Sequence, residues 1–433
     1  MNHSALIFSI ATGLAINAIA GTSTTTSSNT TPATLTVGTC LSATSPYTTI
    51  SAAVTAAAAG ATVNVCPGFY PEQVTIAKSL SLVGLLVGSS DNPVIQVPAG
   101  GVVVNATRLR DGLPAAAQIF VSKGATVNIT NITVDGSNSG IKGCTPDLMG
   151  ILYEFASGTI NRVVARNQAL TTDLNGCQSG EGIVVETIST MSGSAAVSIT
   201  NSSVHGYQKS GIVADGSNTR VTAQFNFVTG QGPTTGAAEN GIEFISGACG
   251  AITGNVILNN IYIPGNTFTA ATGILIYGAQ GVAISANSVG DSQIPIGLYS
   301  DSTLPNPGNP NGVSDKTIVL ANVISNTPFD GIDACSNSNT ITANLIVNAQ
   351  TSGVHLDSTC STAGTGKSNT VSGNSINESC AGVLLGSTPN TLSSNVTFNV
   401  QNVTLAGDTC TLATKKTLLT VAGTASHPVP VPF

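Results

Sequence analysis

The chain has 433 residues, of which only 8% are charged, and a net charge of −7 with 13 Lys and Arg in total. About a quarter of the residues is charged in an ordinary globular domain, so Gly, Asn, Ser and Thr must fill most exposed positions here. Affinity for nucleic acid depends on basic contacts to phosphate, and we therefore expect no nucleic-acid partner. The same charge disfavours a polyanionic sugar unless a cation such as Ca²⁺ bridges it to carboxylates.

The N-terminus carries an apolar run from Ala5 to Ala20 that ends Ala18-Ile19-Ala20 before Gly21. The run is short for a membrane span and closes on a small-x-small pattern, which predicts a signal peptide over residues 1–20. The alternative is a buried N-terminal strand or helix. Residues 21–34 read as a Ser/Thr-rich leader without a core. No later stretch has eighteen consecutive apolar residues, so we expect no membrane span and a secreted or cell-envelope location.

Residues 47–59 have a Thr start signal, helix formers and Gly60 as a stop, which predicts a short helix. Strands are expected to follow at Ala61–Val65, Gln73–Ile76 and Leu80–Val83. A solenoid needs an atypical element over the open end of its core. We predict that the helix at 47–59 is this N-terminal cap.

From residue 150 onward a Gly followed by an apolar, usually branched residue recurs at intervals of 22 to 34 residues. A period between about 20 and 50 residues indicates a solenoid, propeller or array. The repeated glycines are Gly150, Gly182, Gly211, Gly241, Gly273, Gly297, Gly331, Gly353 and Gly382.

Between these glycines a second phrase recurs, in which an Asn has an apolar residue three positions before it and two positions after it. The complete pattern is present at Asn255, Asn287, Asn322, Asn344 and Asn374. Each repeat thus holds two or three short strands of period two and no helix. Asn tolerates left-handed backbone and marks the corners, where we expect the side chains to stack in ladders. This pattern predicts a parallel β-helix over residues 35–410, followed by a cap strand and Pro-rich tail over 411–433.

Three segments resemble the first coil of the pectin-lyase-like right-handed parallel β-helix superfamily, and the opening of pectin methylesterases is similar. They are residues 47–54 (Tyr-Thr-Thr-Ile-Ser-Ala-Ala-Val), 60–76 and Leu80-Ser-Leu-Val-Gly84. With the repeats, the resemblance covers residues 40–400 and implies an all-β, single-stranded right-handed parallel β-helix with a carbohydrate partner. The superfamily holds lyases, hydrolases, esterases and epimerases, and also proteins of no known activity.

The chain departs from the enzyme families of this superfamily. It has no Trp, no Gln-Asp-Thr of the methylesterases, no Gly-His-Gly of the polygalacturonases and no Arg-x-Pro-x-x-Arg of the pectate lyases. No family's catalytic residues can therefore be carried over, and the function must be argued from the site.

Nine cysteines behind a signal peptide predict disulfides, with at least one cysteine left over. We expect Cys40–Cys66 to tie the cap to the first coil and Cys144–Cys177 to tie a loop, and the remaining pairing is open. No Cys-x-x-Cys occurs, which disfavours zinc or redox use.

When the coils are aligned on the repeated Gly, the residues one and three positions after it should face the core. The residues two and four positions after it should face solvent, and adjacent coils stack at about 4.8 Å. One solvent face then collects the titratable side chains of successive coils, with Asp330 at a strand entrance. The set is Glu243, Tyr277, Tyr299, Asp301, Asp333, His355 and Asp357.

Two hypotheses follow from this set. In the first, the chain is a non-catalytic or weakly active secreted protein that binds, or is displayed with, a polysaccharide or cell-surface glycan, and the acids serve contact or solubility. An upstream acid ladder without histidine, Glu154, Glu186 and Asp215, favours this interpretation.

In the alternative, the chain is a polysaccharide hydrolase or lyase. Carboxylates divide the general acid and base roles and the histidine moves a proton. Its candidate catalytic residues are Asp330, Asp333, His355 and Asp357, and its candidate substrate-binding residues are Tyr277, Tyr299, Asp301 and Glu243. We expect no cofactor; the one alternative is a Ca²⁺ held by Asp330, Asp333 and Asp357. The sequence indicates no oligomeric state.

Overall fold

The computed structural model describes residues 33–42, 46–87, 93–122, 124–263, 269–301, 312–359 and 365–412, and the strand Val429–Pro430. These belong to one structural unit, residues 32–433. The predicted signal peptide, nearly all of the leader and most of the C-terminal tail lie outside the described residues. Within the described ranges no helix is long and apolar enough to cross a membrane.

The described chain is built from short strands, numbered here in chain order, that form three long parallel sheets. Sheet A has thirteen strands: β1 Thr34–Val37, β2 Thr62–Val65, β5 Leu80–Gly84, β9 Thr126–Thr130, β12 Ser157–Asn161, β15 Ala195–Thr200, β18 Thr219–Gln224, β21 Cys249–Thr253, β25 Ala283–Ser285, β28 Ile318–Leu320, β31 Thr340–Thr342, β34 Thr370–Ser372 and β37 Thr391–Ser393.

Sheet B has twelve strands: β3 Phe69–Pro71, β6 Val94–Gln96, β10 Thr133–Asp135, β13 Val164–Arg166, β16 Ser203–His205, β19 Phe227–Thr234, β22 Val256–Tyr262, β26 Ser288–Gly290, β29 Val323–Thr327, β32 Leu345–Ala349, β35 Ser375–Asn377 and β38 Val396–Phe398.

Sheet C holds the repeated Gly phrase: β4 Val74–Ile76, β8 Pro114–Val121, β11 Asp147–Glu154, β14 Glu181–Glu186, β17 Ser210–Asp215, β20 Asn240–Ile245, β24 Thr272–Tyr277, β27 Ile294–Tyr299, β30 Ile332–Cys335, β33 Ser352–Leu356, β36 Ala381–Leu385 and β39 Asn402–Ala406. The short strand β7, Ala106–Thr107, pairs antiparallel with β8. The strand β40, Val429–Pro430, pairs with β23, Thr269–Ala270.

Each coil contributes one strand to each sheet, and each strand pairs in parallel with its counterparts in the coils before and after. This confirms the predicted parallel β-helix. The residues one and three positions after the repeated Gly are buried in one continuous core, as predicted, for example Ile183 with Val185 and Ile242 with Phe244.

One repeat is aligned differently from the prediction. The β24–β27 register pairs Leu275 with Gly297, so Pro295, and not Gly297, occupies the position of the repeated Gly in that coil. The prediction failed because Gly297-Leu298 has the same residue pattern as the repeat but lies two residues after the true repeat position.

The corner asparagines form the predicted ladder between sheets A and B. Each side-chain N–H donates to the side-chain oxygen of the Asn in the next coil at 2.9 to 3.0 Å, through Asn226, Asn255, Asn287, Asn322, Asn344, Asn374 and Asn395. The left-handed backbone of the corner belongs to the preceding residue, however, with φ of 66°, 53°, 54°, 55° and 64° at Gly254, Ala286, Ala321, Ala343 and Gly373. The Asn is retained for its side-chain hydrogen bonds and not for its backbone conformation.

The predicted cap helix is present with shorter bounds, Ile50–Ala56. Thr49 caps it by accepting a hydrogen bond from the Ala52 N–H. The Glu72 carboxylate accepts from the Ile50 and Ser51 N–H groups at 2.7 and 2.8 Å, which satisfies the first turn. Ile50, Ala53 and Val54 are buried, so the helix covers the N-terminal end of the core.

The cysteines pair as predicted at Cys40–Cys66 and Cys144–Cys177, and among the described residues Cys380 is also bonded to Cys410. Cys249 has a free thiol.

Sheet C differs from the prediction on its outer face, which is buried. A second apolar cluster lies there, and it includes Leu152, Val184 and Val213 from three successive strands and Leu275 two strands further on. The strands read as continuous apolar runs, Gly182-Ile-Val-Val185 and Gly273-Ile-Leu-Ile-Tyr277, which is typical of a sheet covered on both faces. The prediction that the residues two and four positions after the Gly face solvent is therefore wrong.

Candidate functional site

Five ionisable residues meet on the buried outer face of sheet C, and we call them the acid–histidine cluster. Asp333 lies in β30 and His355 beside it in β33, because the register pairs these two residues directly. Asp330 precedes β30, Asp357 follows β33, and Asp408 follows β39. Three of four successive coils contribute to the cluster, and their parallel stacking brings together residues that are up to 78 positions apart.

Four carboxylates surround the imidazole of His355. Its Nδ1 lies 3.4 Å from Asp330 Oδ2, 3.7 Å from Asp333 Oδ1 and 3.9 Å from Asp357 Oδ2. Its Nε2 lies 3.5 Å from Asp408 Oδ1. These separations are ion-pair distances, and they exceed the roughly 2.7–3.2 Å of a good N–H···O hydrogen bond.

Most of the carboxylates are also held by neutral donors. The Tyr299 hydroxyl donates to Asp333 Oδ2 at 2.5 Å, and the Ser352 hydroxyl donates to Asp330 Oδ1 at 2.6 Å. Asp408 accepts from the Ser358 N–H and hydroxyl. Asp333 Oδ1, in contrast, accepts no hydrogen bond from any described residue, although the Asp333 side chain is only 5% exposed.

Burial sets the electrostatics of the cluster. Burial and then the Asp357 charge raise the pKa of Asp333 well above its usual value, and burial also raises the pKa of Tyr299. Burial opposes charge on His355, but the carboxylates of Asp330 and Asp408 outweigh it and raise the pKa of His355 well above the usual value. His355, whose Nε2 lies 3.5 Å away, lowers the pKa of Asp408 to about 2. Strongly perturbed groups at one point are typical of functional sites, though structural networks share this property.

The four predicted catalytic residues are thus brought together, but not on an open surface. His355 and Asp357 have no exposed area, and Asp330 and Asp333 are 6% and 4% exposed. The prediction that they face solvent is wrong for the reason given above, and their catalytic roles stay a prediction. Asp408 was missed because its coil lacks the Gly-Ile phrase, reading Asn402-Val-Thr-Leu405.

The predicted substrate-binding residues are dispersed along the same face. The Tyr277 hydroxyl donates to Asp301 at 2.6 Å, and Tyr299 bonds to Asp333 of the cluster. Glu243 lies three coils upstream of Asp333, where it accepts from Ser210 and Asn240. Tyr277, Tyr299 and Glu243 are buried, so their role in binding a substrate stays a prediction.

The upstream acid ladder is present, because the register stacks Glu154, Glu186 and Asp215. Glu186 and Asp215 are buried, and Glu154 is half-buried. Burial, reinforced by Asp215, raises the pKa of Glu186 well above its usual value. Arg108 makes an ion pair with Asp147 at 3.0 Å at the edge of this region.

A cavity of about 530 Å³ lies at the corners that lead from sheet B to sheet C, and we call it the corner groove. The segments after β10 and β13 form most of its wall. Its lining is mainly uncharged and polar, with Ile141, Ala169 and Leu170 as an apolar part and Lys142 as the charged residue. The polar side chains are Ser137, Asn138, Ser139, Asn167, Thr171 and Gln231.

The wall of the corner groove is held in place by several contacts. Asp135 accepts from the Ser137 hydroxyl at 2.6 Å and from the Asn167 side chain at 3.0 Å. Gln208 accepts from the Leu170 N–H at 2.9 Å. The Cys144–Cys177 disulfide joins the two segments that follow β10 and β13. The sequence predicted this disulfide but gave no signal for the cavity, because the lining residues are ordinary loop residues.

The comparisons with known proteins agree with this fold. A family model described as "Right handed beta helix region" matches residues 181–398, or 218 of the 433 residues. The chain therefore belongs to this family and is a right-handed parallel β-helix. No curated protein matches the sequence.

Solved structures of similar fold have low sequence identity to the chain. The Dettilon tailspike protein is 16% identical with a TM-score of 0.50, and the match covers 79% of this chain and 62% of the tailspike chain. The A-module of a mannuronan C-5 epimerase from Azotobacter vinelandii is 15% identical with a TM-score of 0.47, covering 80% of this chain and 94% of the module. At such identities the similarity establishes the fold alone.

Proposed function

We propose that this protein is a secreted β-helix that binds an extracellular polysaccharide in the corner groove, without turning it over. The observation that carries the proposal is the groove itself, a cavity of about 530 Å³ with a polar, hydroxyl- and amide-rich lining. Cavities of roughly 300–1,000 Å³ with a few fixed polar groups are typical of ligand sites.

The chemistry of the lining fits a neutral sugar. Ser, Thr, Asn and Gln side chains donate and accept hydrogen bonds as sugar hydroxyls require, and Ile141, Ala169 and Leu170 offer an apolar surface to C–H groups. Lys142 is the one charged residue of the lining, and the net charge of −7 disfavours a polyanion. The fixed wall reduces the entropy lost on binding.

The test is a binding panel of neutral and uronic polysaccharides, measured by calorimetry and affinity electrophoresis. We expect a neutral polysaccharide to bind the wild-type chain. Thr171→Trp, which fills the groove from an exposed position, should abolish this binding.

Thr391→Trp is the matched control, because Thr391 is an exposed residue of β37 in the last coil of sheet A. Equal loss of binding in both variants, or full retention in Thr171→Trp, would reject the groove as the site. The absence of binding to any sugar of the panel would reject the proposed function.

We propose polysaccharide hydrolysis or lyase cleavage at the acid–histidine cluster as the second candidate. The observation that favours it is one imidazole with four carboxylates within 4 Å. The same panel should then yield new reducing ends or unsaturated products, which Asp333→Asn and His355→Ala abolish. If no products form with a sugar that binds, this candidate is rejected and the first stands.

A further inference from the structure

We propose that the acid–histidine cluster is a binding site for one divalent transition-metal ion of the Zn²⁺ class. The ion would be held by carboxylate oxygens of Asp330 and Asp333 and by the Nδ1 atom of His355. This inference is independent of the corner groove.

The first argument is the number of acceptors around one nitrogen. Oxygen atoms of Asp330, Asp333 and Asp357 lie 3.4, 3.7 and 3.9 Å from His355 Nδ1. A single N–H can serve only one acceptor well. A metal ion bound by the ring nitrogen and the two nearer carboxylates would satisfy several of these groups at once.

The second argument is the spacing of the donor atoms. Zn²⁺ binds imidazole nitrogen and carboxylate oxygen at about 2.1 Å in tetrahedral geometry, which places two ligand atoms about 3.4 Å apart. The Asp330 and Asp333 oxygens and the His355 nitrogen all lie within 4.8 Å of one another. The two oxygens lie 3.4 and 3.7 Å from the nitrogen, close to the spacing of ligand atoms around a bound ion.

The third argument is an unused buried oxygen aimed into this space. Asp333 Oδ1 accepts no hydrogen bond from the described residues while its partner oxygen is fixed by Tyr299. Leaving a buried polar atom without a partner costs free energy. A metal ligand bond removes that cost.

The fourth argument is the support on the far side of the imidazole. Metal-binding histidines usually direct their other ring nitrogen at a carboxylate, which fixes the ring orientation. His355 Nε2 lies 3.5 Å from Asp408, and Ser358 in turn holds Asp408. Tyr299 plays the same supporting role for Asp333.

The donor set decides the class of ion. Ca²⁺ and Mg²⁺ take oxygen ligands, whereas an imidazole suits Zn²⁺ and the other late first-row ions. The Ca²⁺ site predicted from Asp330, Asp333 and Asp357 would have oxygen ligands alone, whereas the group that lies close together is Asp330, Asp333 and His355. Two carboxylates and one imidazole match Zn²⁺ better.

The test is the metal content of the full chain, produced without a polyhistidine tag in medium supplemented with Zn²⁺, Mn²⁺ and Ca²⁺. We expect one Zn²⁺ per chain by plasma mass spectrometry. An anomalous difference peak at the zinc edge should lie between Asp330 and His355. Asp333→Asn keeps the acceptor for Tyr299 and should lose the ion.

Two further variants make the outcome decisive. Tyr299→Phe removes only the supporting hydroxyl and should weaken Zn²⁺ binding by roughly 10- to 100-fold. Asp215→Asn changes a buried acid of the upstream ladder and should retain one Zn²⁺. The proposal is overturned if the wild type holds no transition metal, if it holds Ca²⁺ instead, or if Asp333→Asn retains the ion.

Discussion

The asparagine ladder makes Asn322→Ala the most informative stability mutation in this chain. Asn322 is completely buried, and its side chain takes part in four hydrogen bonds. It donates to Ile284 O at 3.1 Å and to Asn344 Oδ1 at 3.0 Å, and it accepts from the backbone and side-chain N–H groups of Asn287 at 2.9 Å each.

The expected cost follows from what the substitution leaves behind. The backbone N–H of Asn287 loses its partner inside the protein, which costs about 1–3 kcal/mol, and each of the other three bonds is worth about 0.5–1.5 kcal/mol. We therefore expect Asn322→Ala to lower the free energy of unfolding by about 3–7 kcal/mol. Asn395, which ends the ladder and is half-buried, should cost only about 1–2 kcal/mol because water can replace its bonds.

The assay is guanidinium unfolding of wild type, Asn322→Ala and Asn395→Ala, followed by circular dichroism. A cost for Asn322→Ala below about 1 kcal/mol, or equal to that of Asn395→Ala, would refute the reasoning. It would mean that water or a shifted neighbour replaces the ladder.

Three further predictions concern charge, covalent links and backbone. The folded chain keeps a proton on Glu186 that the unfolded chain releases above about pH 4.3, so this residue lowers the stability of the wild type as the pH rises. Glu186→Gln should therefore gain in melting temperature relative to the wild type between pH 5 and 8. Parallel curves of melting temperature against pH for the two proteins would contradict this. Replacing Cys380 and Cys410 by Ser should lower the free energy of unfolding by about 2–4 kcal/mol. The difference between this variant and the wild type should disappear when both are assayed fully reduced. Gly250→Ala places Cβ 1.8 Å from Val221 O and should lower the free energy of unfolding by more than about 3 kcal/mol. In the same guanidinium titration Gly373→Ala, whose Cβ meets open space, should lower it by about 1 kcal/mol. Similar losses in the two variants would contradict the steric argument.

The sequence was a good guide to the fold because the coil pattern depends on local rules. Period-two alternation identifies the strands, and the Asn phrase identifies one corner of every coil. The cap helix was readable from Thr49 and Gly60, although its last turn was overpredicted because alanines favour helix even where the chain leaves it. The Gly297 misalignment shows the limit of a phrase that is only two residues long.

The environment of the acid–histidine cluster was not readable in the same way. Alternation predicts two faces for a strand, but it does not say whether another part of the chain covers the second face. That information was present in the apolar residues at the outer positions of several strands, which indicate a covered sheet. They include Val184, Val213 and Leu275. Asp408 joins His355 from a coil without the repeat phrase, so only the three-dimensional stacking reveals it.

The position of the cap helix has a consequence for the order of assembly. The helix and first coil are synthesised first, and their sealed end gives the second coil a formed edge on which to pair. Every later coil needs only the coil before it, so structure can grow in step with the emerging chain, in the N-to-C direction in which domains generally fold during synthesis. The pair of Val429–Pro430 with Thr269–Ala270 is the exception. It reaches back over several coils and can form only after residues 429–430 have emerged, so its formation follows that of the coils in between.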